Sequence, residues 1–372
     1  MSEIEEKRTA LLLLEDGTCF EGKALGKVGT TTGEVCFNTS MTGYQEIFTD
    51  PSYFGQVLIL TSSHIGNYGI CEEDEESNSV KINGLICKNI SVNHSRYQAN
   101  ENLDEYLVRN GVIAIYNIDT RMLVRKIRDK GAMNCIISSE NLSKSELQAL
   151  LAKAPSMVGR ELASLVSTKE IYSVGDPKAE HRIAVLDLGI KKNILNCLAE
   201  RGAYLKVFPA RTKFETLMAF QPDGFFISNG PGDPASMDYG VETVEQMQSS
   251  GIPIFGICLG HQLLALANGA KTYKMHHGHR GANHPVYNRL TGLGEVTSQN
   301  HGFSIDYKSV EKCKNIEVTH VNLNDNSIEG IRIKGKNIFS VQYHPESSPG
   351  PHDSRYLFDD FIKLIKEYKK GR

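Results

Sequence analysis

The second half of the chain, from Arg182 onward, alternates short apolar runs with amphipathic stretches that repeat at helical spacing. Strand and helix in regular alternation, joined by short loops, are typical of a parallel sheet with helices on both faces. This half is therefore predicted to be α/β, with a doubly wound, mostly parallel sheet. The predicted strands are 183–186, 204–207, 224–227 and 252–257, and the predicted helices are 192–201, 214–220, 241–249 and 262–268.

The first half has a different pattern, in which short apolar strands are separated by turns rich in Gly and Asn. Such a mixture, with few helices, predicts a separate α+β domain. The predicted organisation is a domain at 1–153, a connecting segment of mixed charge at 154–181, and the α/β domain at 182–372. The predicted strands include 11–14, 56–61 and 112–116, and the predicted helices are 121–130 and 143–153.

The most informative motif lies where the fourth predicted strand of the α/β half gives way to its helix. Cys258 stands there between Gly256 and Gly260. A sharp strand-to-helix turn strains its central residue and needs small neighbours, as in a nucleophile elbow. The positive end of the following helix would stabilise a thiolate. The pattern predicts that Cys258 is a nucleophile; the alternative is a buried core cysteine, which is common among free cysteines.

A base for this thiol is predicted far along the chain. A predicted strand at 337–343 ends at His344, and Glu346 follows after a proline. A nucleophile, an imidazole and an orienting carboxylate make the triad of covalent hydrolases. His261 is nearer in sequence, but it lies within the helix that follows the elbow, so we interpret it as a packing or capping residue. Taken alone, His-Pro is also common in ordinary turns.

A glycine-rich loop follows the predicted strand 224–227. Gly230 and Gly232 would let backbone N–H groups approach a small substrate. Together with the Leu259 amide, these groups could form an oxyanion hole for amide cleavage. In isolation, the same loop would be interpreted as a plain Pro-Gly turn.

These motifs together resemble the triad, or class I, glutamine amidotransferases. The family signature G-x-C-x-G-H-Q corresponds to Gly256–Gln262, and its distant H-P-E corresponds to His344–Glu346. The first half is similar to the amino-terminal domain of carbamoyl-phosphate synthetase small subunits, and the resemblance runs from about Leu11 to Lys366. The segments that carry this second resemblance are 37–46, 49–53, 119–121, 300–303 and 348–353.

The resemblance implies a set of site residues. Chemistry is expected from Cys258, His344 and Glu346, and the oxyanion hole from Gly230 and Leu259. The remaining residues are expected to bind glutamine: Ser40, Gly232, Gln262, Asn300, Gly302 and Phe303.

The chain has no motif suited to ATP. It contains no G-x-x-x-x-G-K-[ST], and Gly269–Thr272 ends like a phosphate loop but lacks the preceding glycines. We expect no cofactor in this chain. The resemblance implies a large synthetase subunit that uses ATP and Mg²⁺ to activate bicarbonate and receives ammonia through an internal passage. Whether the product would serve pyrimidine or arginine synthesis is left open.

The segment 276–284 is crowded with histidines, and His276-x-x-His279 has metal-ligand spacing. No cysteine or carboxylate accompanies it in the sequence, so no metal site is expected, and a loop beside the active site is predicted instead.

Composition excludes some classes of protein. A formal net charge of −3 argues against a nucleic-acid binder, and no apolar run approaches membrane-spanning length. The eight cysteines show no paired spacing, which favours a reduced, cytoplasmic chain. Two other functions stay open at this stage: a stand-alone cysteine or γ-glutamyl hydrolase, and a silent scaffold that activates an ammonia-using partner.

Overall fold

A computed structural model describes residues 8–371. These residues form two compact units. The first extends through Met157 and includes His276–Gly278; the second begins at Val158 and contains the rest. None of the helices within 8–371 is long and apolar enough to cross a membrane.

The first unit is built around a closed barrel with strand order β1-β2-β8-β6-β4-β3-β9. The predicted strands and helices of this half are confirmed, with ends shifted by one to two residues. Its strands are β1 Thr9–Leu14, β2 Cys19–Gly26, β3 Thr30–Asn38, β4 Gln56–Leu60, β5 His64–Ile65, β6 Gly84–Ile86, β7 Asn89–Ile90, β8 Ile113–Tyr116 and β9 Asn134–Ser138, and its helices are α1 Tyr44–Thr49, α2 Leu103–Arg109, α3 Thr120–Lys130 and α4 Lys144–Leu151.

Side-chain alternation along the strands gives this barrel two apolar layers. On β4, Val57 and Ile59 belong to one buried cluster, whereas Leu58 and Leu60 belong to another. Both faces of β4 are therefore buried, because successive side chains of a strand point to opposite faces. This explains why the sequence shows a continuous apolar run at β4, without polar alternation.

The second unit contains a ten-stranded sheet within the described residues, in the order β10-β12-β11-β13-β14-β19-β18-β17-β15-β16. Its strands are β10 Tyr172–Val174, β11 His181–Asp187, β12 Ala203–Pro209, β13 Gly224–Ile227, β14 Ile254–Ile257, β15 Thr272–Asn288, β16 Leu293–Ile305, β17 Ile316–Asn322, β18 Ile328–Ile333 and β19 Ile338–Val341. Its helices are α5 Ala163–Val166, α6 Lys192–Ala199, α7 Phe214–Ala219, α8 Asp238–Ser249, α9 Leu259–Leu266, α10 Tyr307–Val310 and α11 Tyr356–Lys370.

The centre of this sheet is parallel, and its flanks are antiparallel. Strands β12, β11, β13, β14 and β19 pair in parallel, whereas β10 and the run from β18 to β16 pair antiparallel. The α/β sheet predicted from the sequence is confirmed, and the antiparallel extension adds to it. The carboxyl ends of β13, β14 and β19 meet at one edge, where open α/β sheets place their ligands.

One local prediction is wrong. The histidine-rich segment 276–284, expected to be a loop, lies within β15 and pairs with β16, placing His279 opposite His301 and Arg280 opposite Asn300. The scattered Gly and His residues conceal the strand period, and two register shifts between β15 and β16 break it further.

Helices cover both faces of the parallel centre. Phe226 and Phe255 pack on one face with Phe358 and Phe361 of α11. The opposite face buries another cluster that includes Ile254 together with side chains of α8 and α9. With apolar side chains on both sides, β14 is fully buried, and this fixes the position of the residue that follows it.

Candidate active site

Cys258 occupies a strained turn between β14 and α9. Its φ is 53° and its ψ is −100°, a conformation that costs energy for a residue with a side chain. A Cβ at Gly256 would lie 2.8 Å from Leu264 Cδ1, and one at Gly260 would overlap the Ile227 carbonyl oxygen. The predicted elbow is therefore present, and both flanking glycines are required by close packing.

His344 and Glu346 form a buried pair just beyond β19. His344 Nδ1–H donates to Glu346 Oε1 at 2.7 Å, and both side chains are almost fully enclosed. The backbone of His344 is fixed by its N–H, which donates to the Ser298 carbonyl at 2.9 Å. Because Glu346 occupies Nδ1, the other ring nitrogen, Nε2, is left for proton exchange.

The charges of this pair are set by its neighbours. Burial opposes a charge on His344, but Glu346 and Cys258 beside it raise the pKa of His344 to about 10. Burial likewise opposes a charge on Glu346, yet Lys191 and His344 lower its pKa to about 2. The arrangement therefore holds an imidazolium and a carboxylate at neutral pH.

Lys191 is a site residue that the sequence reasoning missed. Its Nζ lies 2.9 Å from Glu346 Oε1 and also donates to the Ser347 carbonyl, and the side chain is 3% exposed. It precedes α6 on the same edge of the sheet. No sequence signal separates this lysine from the surface lysines of the chain.

A second missed residue, Gln342, reaches the sulfur. Gln342 Nε2 lies 3.5 Å from Cys258 Sγ, and Gln342 Oε1 accepts from Gln262 Nε2 at 3.0 Å. Gln262 Nε2 also donates to the Phe303 carbonyl at 2.9 Å. Gln342 is two residues before His344, but a buried Gln just beyond a strand has no chemical signature in the sequence.

The structure brings Cys258, Gln262 and β16 together. Cys258 Sγ lies 3.7 Å from the Asn300 carbonyl oxygen, and Gly302 and Phe303 follow on the same strand.

The glycine-rich loop after β13 is also tightly packed. A Cβ at Gly230 would overlap the Leu188 carbonyl oxygen, and Gly232 has a φ of +100°, which favours glycine. Leu259 is the first residue of α9, directly after Cys258.

Ser40 and His261 are both buried and hydrogen-bonded. Ser40 lies in the first unit, where it is buried and its backbone N–H donates to Asn38 Oδ1 at 2.7 Å. His261 is fully buried, its Nδ1 lies 2.9 Å from Ser340 Oγ, and burial lowers its pKa to about 3. His261 is thus a neutral packing residue, as predicted.

Comparison with known proteins agrees with this geometry. The model of the glutamine amidotransferase class-I family matches residues 184–364, and that of the carbamoyl-phosphate synthase small chain, CPSase domain, matches residues 12–137. Proteins named carbamoyl phosphate synthase small chain from Chlorobaculum tepidum, Acinetobacter baylyi and Yersinia pseudotuberculosis are 48%, 48% and 49% identical to this chain. Each match covers 97% of this chain and 98%, 99% and 96% of the respective relative. The chain belongs to the carbamoyl phosphate synthase small chain family, and its second half is a class-I glutamine amidotransferase domain.

Proposed function

We propose that this chain is the glutamine-hydrolysing subunit of a carbamoyl-phosphate synthetase and that it acts through a thioester on Cys258. The observation that carries the proposal is the strained turn at Cys258, combined with the buried pair of His344 and Glu346. Family membership favours this function over a stand-alone cysteine or γ-glutamyl hydrolase. The intact triad argues against a silent scaffold.

In the proposed reaction, the Cys258 thiolate attacks the carbonyl carbon of the glutamine side-chain amide. His344, which carries a proton at neutral pH, gives it to the departing nitrogen, so that ammonia leaves and a γ-glutamyl thioester remains. Water then attacks the thioester while His344 accepts a proton, which releases glutamate and regenerates the sulfur. Glu346 keeps the imidazole oriented throughout.

The backbone N–H groups of Gly230 and Leu259 are proposed to stabilise the oxyanion of each tetrahedral intermediate. Gly230 sits on tightly packed backbone, and Leu259 is the buried first residue of α9, which supports a preorganised role. The glutamine itself is proposed to be held by the remaining residues of the predicted set: Ser40, Gly232, Gln262, Asn300, Gly302 and Phe303.

The proposed partner is a large synthetase subunit that uses ATP and Mg²⁺ to activate bicarbonate and combines it with the ammonia. We propose that this chain itself needs no cofactor, because each bond made or broken in glutamine hydrolysis is accounted for by the thiol, the imidazole and water. A cytoplasmic location is proposed on the basis of the unpaired cysteine spacing.

The test is Cys258→Ser in the assembled complex. We expect glutamine-dependent carbamoyl phosphate synthesis to be abolished and synthesis from added ammonium to be retained, because only the first needs the nucleophile. Near-normal glutamine-dependent turnover in the variant would show that Cys258 is structural.

A second measurement distinguishes the proposed subunit from a stand-alone hydrolase. Glutamate release by the isolated chain is expected to be slow and to rise when the large subunit, ATP and bicarbonate are present, since a partner can assemble a fully competent site. Equal rates in the two conditions would favour the stand-alone hydrolase.

A further inference from the structure

A cluster of metal-ligand type lies outside the proposed triad, within the second unit. His279 of β15, His301 of β16 and Glu329 of β18 each direct a donor atom into one place, and these atoms lie within 4.8 Å of one another. All three side chains are buried. The chain segments that supply them are 22 and 28 positions apart (301 − 279 and 329 − 301), so the sequence gives no compact motif.

In each of the two histidines, one ring nitrogen donates a hydrogen bond to an acceptor that is not a member of the cluster. His279 Nε2–H donates to Asp325 Oδ2 at 2.9 Å, and His301 Nδ1–H donates to the Phe303 carbonyl at 2.8 Å. These contacts leave His301 Nε2 and, once it has released its proton, His279 Nδ1 as the nitrogens available to an ion. Histidine ligands of metals are typically oriented in this way, by a carboxylate or a carbonyl on the opposite nitrogen.

Glu329 is likewise held on one side only. Its Oε1 accepts from Asn322 Nδ2 at 2.9 Å, whereas Oε2 is buried with no hydrogen-bond partner among residues 8–371. A buried carboxylate oxygen without a partner is costly. His279 Nδ1 lies 3.5 Å from Glu329 Oε1, close to the spacing of two ligands on one metal ion.

The surroundings of His301 also favour a bound cation. Its Nε2 carries the lone pair, because Nδ1 holds the proton that is given to a carbonyl, yet Nε2 lies 2.8 Å from Gln299 Oε1. Two acceptors at this distance repel each other. A bound cation removes the repulsion, as does a turned amide of Gln299.

We propose that His279, His301 and Glu329 bind one Zn²⁺ ion, with Asp325 and the Phe303 carbonyl orienting the two imidazoles. Two imidazoles and a carboxylate are a known zinc ligand set, whereas Mg²⁺ and Ca²⁺ prefer oxygen ligands. Zinc–ligand distances of about 2.0 to 2.2 Å imply ligand separations of about 3.4 Å in a tetrahedral site. Donor atoms that now lie up to 4.8 Å apart would therefore have to move to about 3.4 Å on binding.

The ion would join strands that are otherwise loosely connected. Among the described residues, few backbone contacts join the β15–β16 hairpin to that side of the sheet: β15 pairs with β17 at Val286–Asn288, and Ser298 of β16 pairs with His344. Zinc would tie this hairpin to β18. Since Asn300 and Phe303 flank His301 on β16, the ion would also fix the strand that contacts Cys258 and Gln262.

The experiment uses the full chain after treatment with a chelator, followed by calorimetric titration with Zn²⁺ and by optical titration with Co²⁺. We expect one Zn²⁺ per chain, a visible Co²⁺ band of tetrahedral type, and a higher melting temperature with zinc. Glu329→Gln should lower zinc affinity by at least about 10- to 100-fold, and zinc should no longer raise its melting temperature. Glu317→Gln makes the same change on the neighbouring strand β17, in an exposed pair with Arg332, and should bind zinc like the unaltered chain.

A second variant keeps the test decisive if Glu329→Gln fails to fold. Asp325 is partly exposed and contacts the site through His279 and through Ser327, whose bonds an asparagine oxygen can still accept, so Asp325→Asn should fold and lose about tenfold in zinc affinity. The absence of one-equivalent binding to the full chain would overturn the proposal. Unchanged affinity in both Glu329→Gln and Asp325→Asn would overturn it as well.

Discussion

At the residue scale, the site is organised around paired buried charges. Lys191 and His344 both contact the Glu346 carboxylate, and all three side chains are nearly inaccessible to water. With Cys258 as the thiolate that the proposed reaction requires, two cations face two anions and the cluster is neutral. Buried charges are tolerated when each is paired, and removing one member leaves another uncompensated.

Lys191→Met tests this balance. The substitution removes the cation on Glu346, so we expect a loss of roughly 3 to 5 kcal/mol in the free energy of unfolding, together with a clear fall in kcat for glutamine hydrolysis. Urea denaturation and steady-state kinetics measure the two effects. Lys192→Met, one residue further on and exposed, is the matched control. Equal stability of the two variants would contradict the role given to Lys191.

Gln342→Ala tests the hydrogen bond to the sulfur. A donor to a charged sulfur contributes about 1.5 to 3 kcal/mol, so we expect kcat to fall about 10- to 100-fold, with a smaller change in KM. Gln342→Glu keeps an acceptor for Gln262 but places a negative charge beside Cys258, and should lose more activity than the alanine variant. A normal kcat in Gln342→Ala would remove Gln342 from the proposed machinery.

At the scale of elements, the junction of β14 with α9 controls where the side chain of Cys258, the proposed nucleophile, points. Cys258 can hold its strained backbone because β14 is buried on both faces and α9 packs directly against the sheet. The two flanking glycines permit this approach. A strained backbone conformation of this kind persists only where the packing around it allows no relaxed alternative.

Gly260→Ala should disturb this junction. The added methyl group would overlap the Ile227 carbonyl, which is backbone and cannot rotate away, so we expect destabilisation of about 1 to 3 kcal/mol and loss of glutaminase activity. Gly294→Ala is the control, because its Cβ would meet nothing within 4 Å. Thermal melts and glutamate release compare the two. If Gly260→Ala behaves like Gly294→Ala, the elbow tolerates a larger residue than its packing indicates.

At the scale of the whole molecule, buried histidines are of two kinds. Burial lowers the pKa of His261 to about 3 and that of His320 to about 4, and it lowers the pKa of His301 well below its ordinary value. In contrast, burial is outweighed by carboxylates at His279, whose pKa rises to about 9, and at His344, whose pKa rises to about 10. Without a metal ion, the first kind is neutral in the folded chain and the second is charged; zinc at His279 Nδ1 would displace the proton there.

For the metal-free chain, these shifts predict maximal stability near pH 6.5, the ordinary pKa of histidine. Below that pH, the unfolded chain takes up protons at His261, His301 and His320 that the folded chain does not bind, so stability falls as pH falls. Above it, the unfolded chain has released protons that the folded chain keeps on His279 and His344, so stability falls as pH rises.

Urea midpoints of the chelator-treated chain, measured from pH 4.5 to 9 at constant ionic strength, test this dependence. Below pH 6.5, the free energy of unfolding should fall less steeply with falling pH in His320→Gln than in the unaltered chain. The variant takes up as much as one proton fewer on unfolding, which corresponds to about 1.4 kcal/mol per pH unit. The exposed His94→Gln should leave that slope unchanged. A stability maximum above pH 8.5 or below pH 5.5 would contradict the assignment of the two kinds of histidine.

The sequence by itself determined the features that depend on near neighbours in the chain. The order of strands and helices in the α/β half follows from hydrophobic period, and the elbow follows from Gly256, Cys258 and Gly260, because local backbone sterics decide both. The pairing of His344 with Glu346 was also readable, since the two residues are only two positions apart. The seven-residue pattern Gly256–Gln262, together with the H-P-E, was specific enough to indicate the family.

Tertiary structure alone decided the rest. Lys191 meets Glu346 across 155 positions of the chain, and Gln342 meets Cys258 across 84. Asp325 and Glu329, the carboxylates that meet His279, likewise come from distant positions, in the turn after β17 and at the start of β18. Lysine, glutamine and histidine have no role that their type alone specifies. Burial and distant partners set their charge and orientation, and only the folded chain brings those partners together.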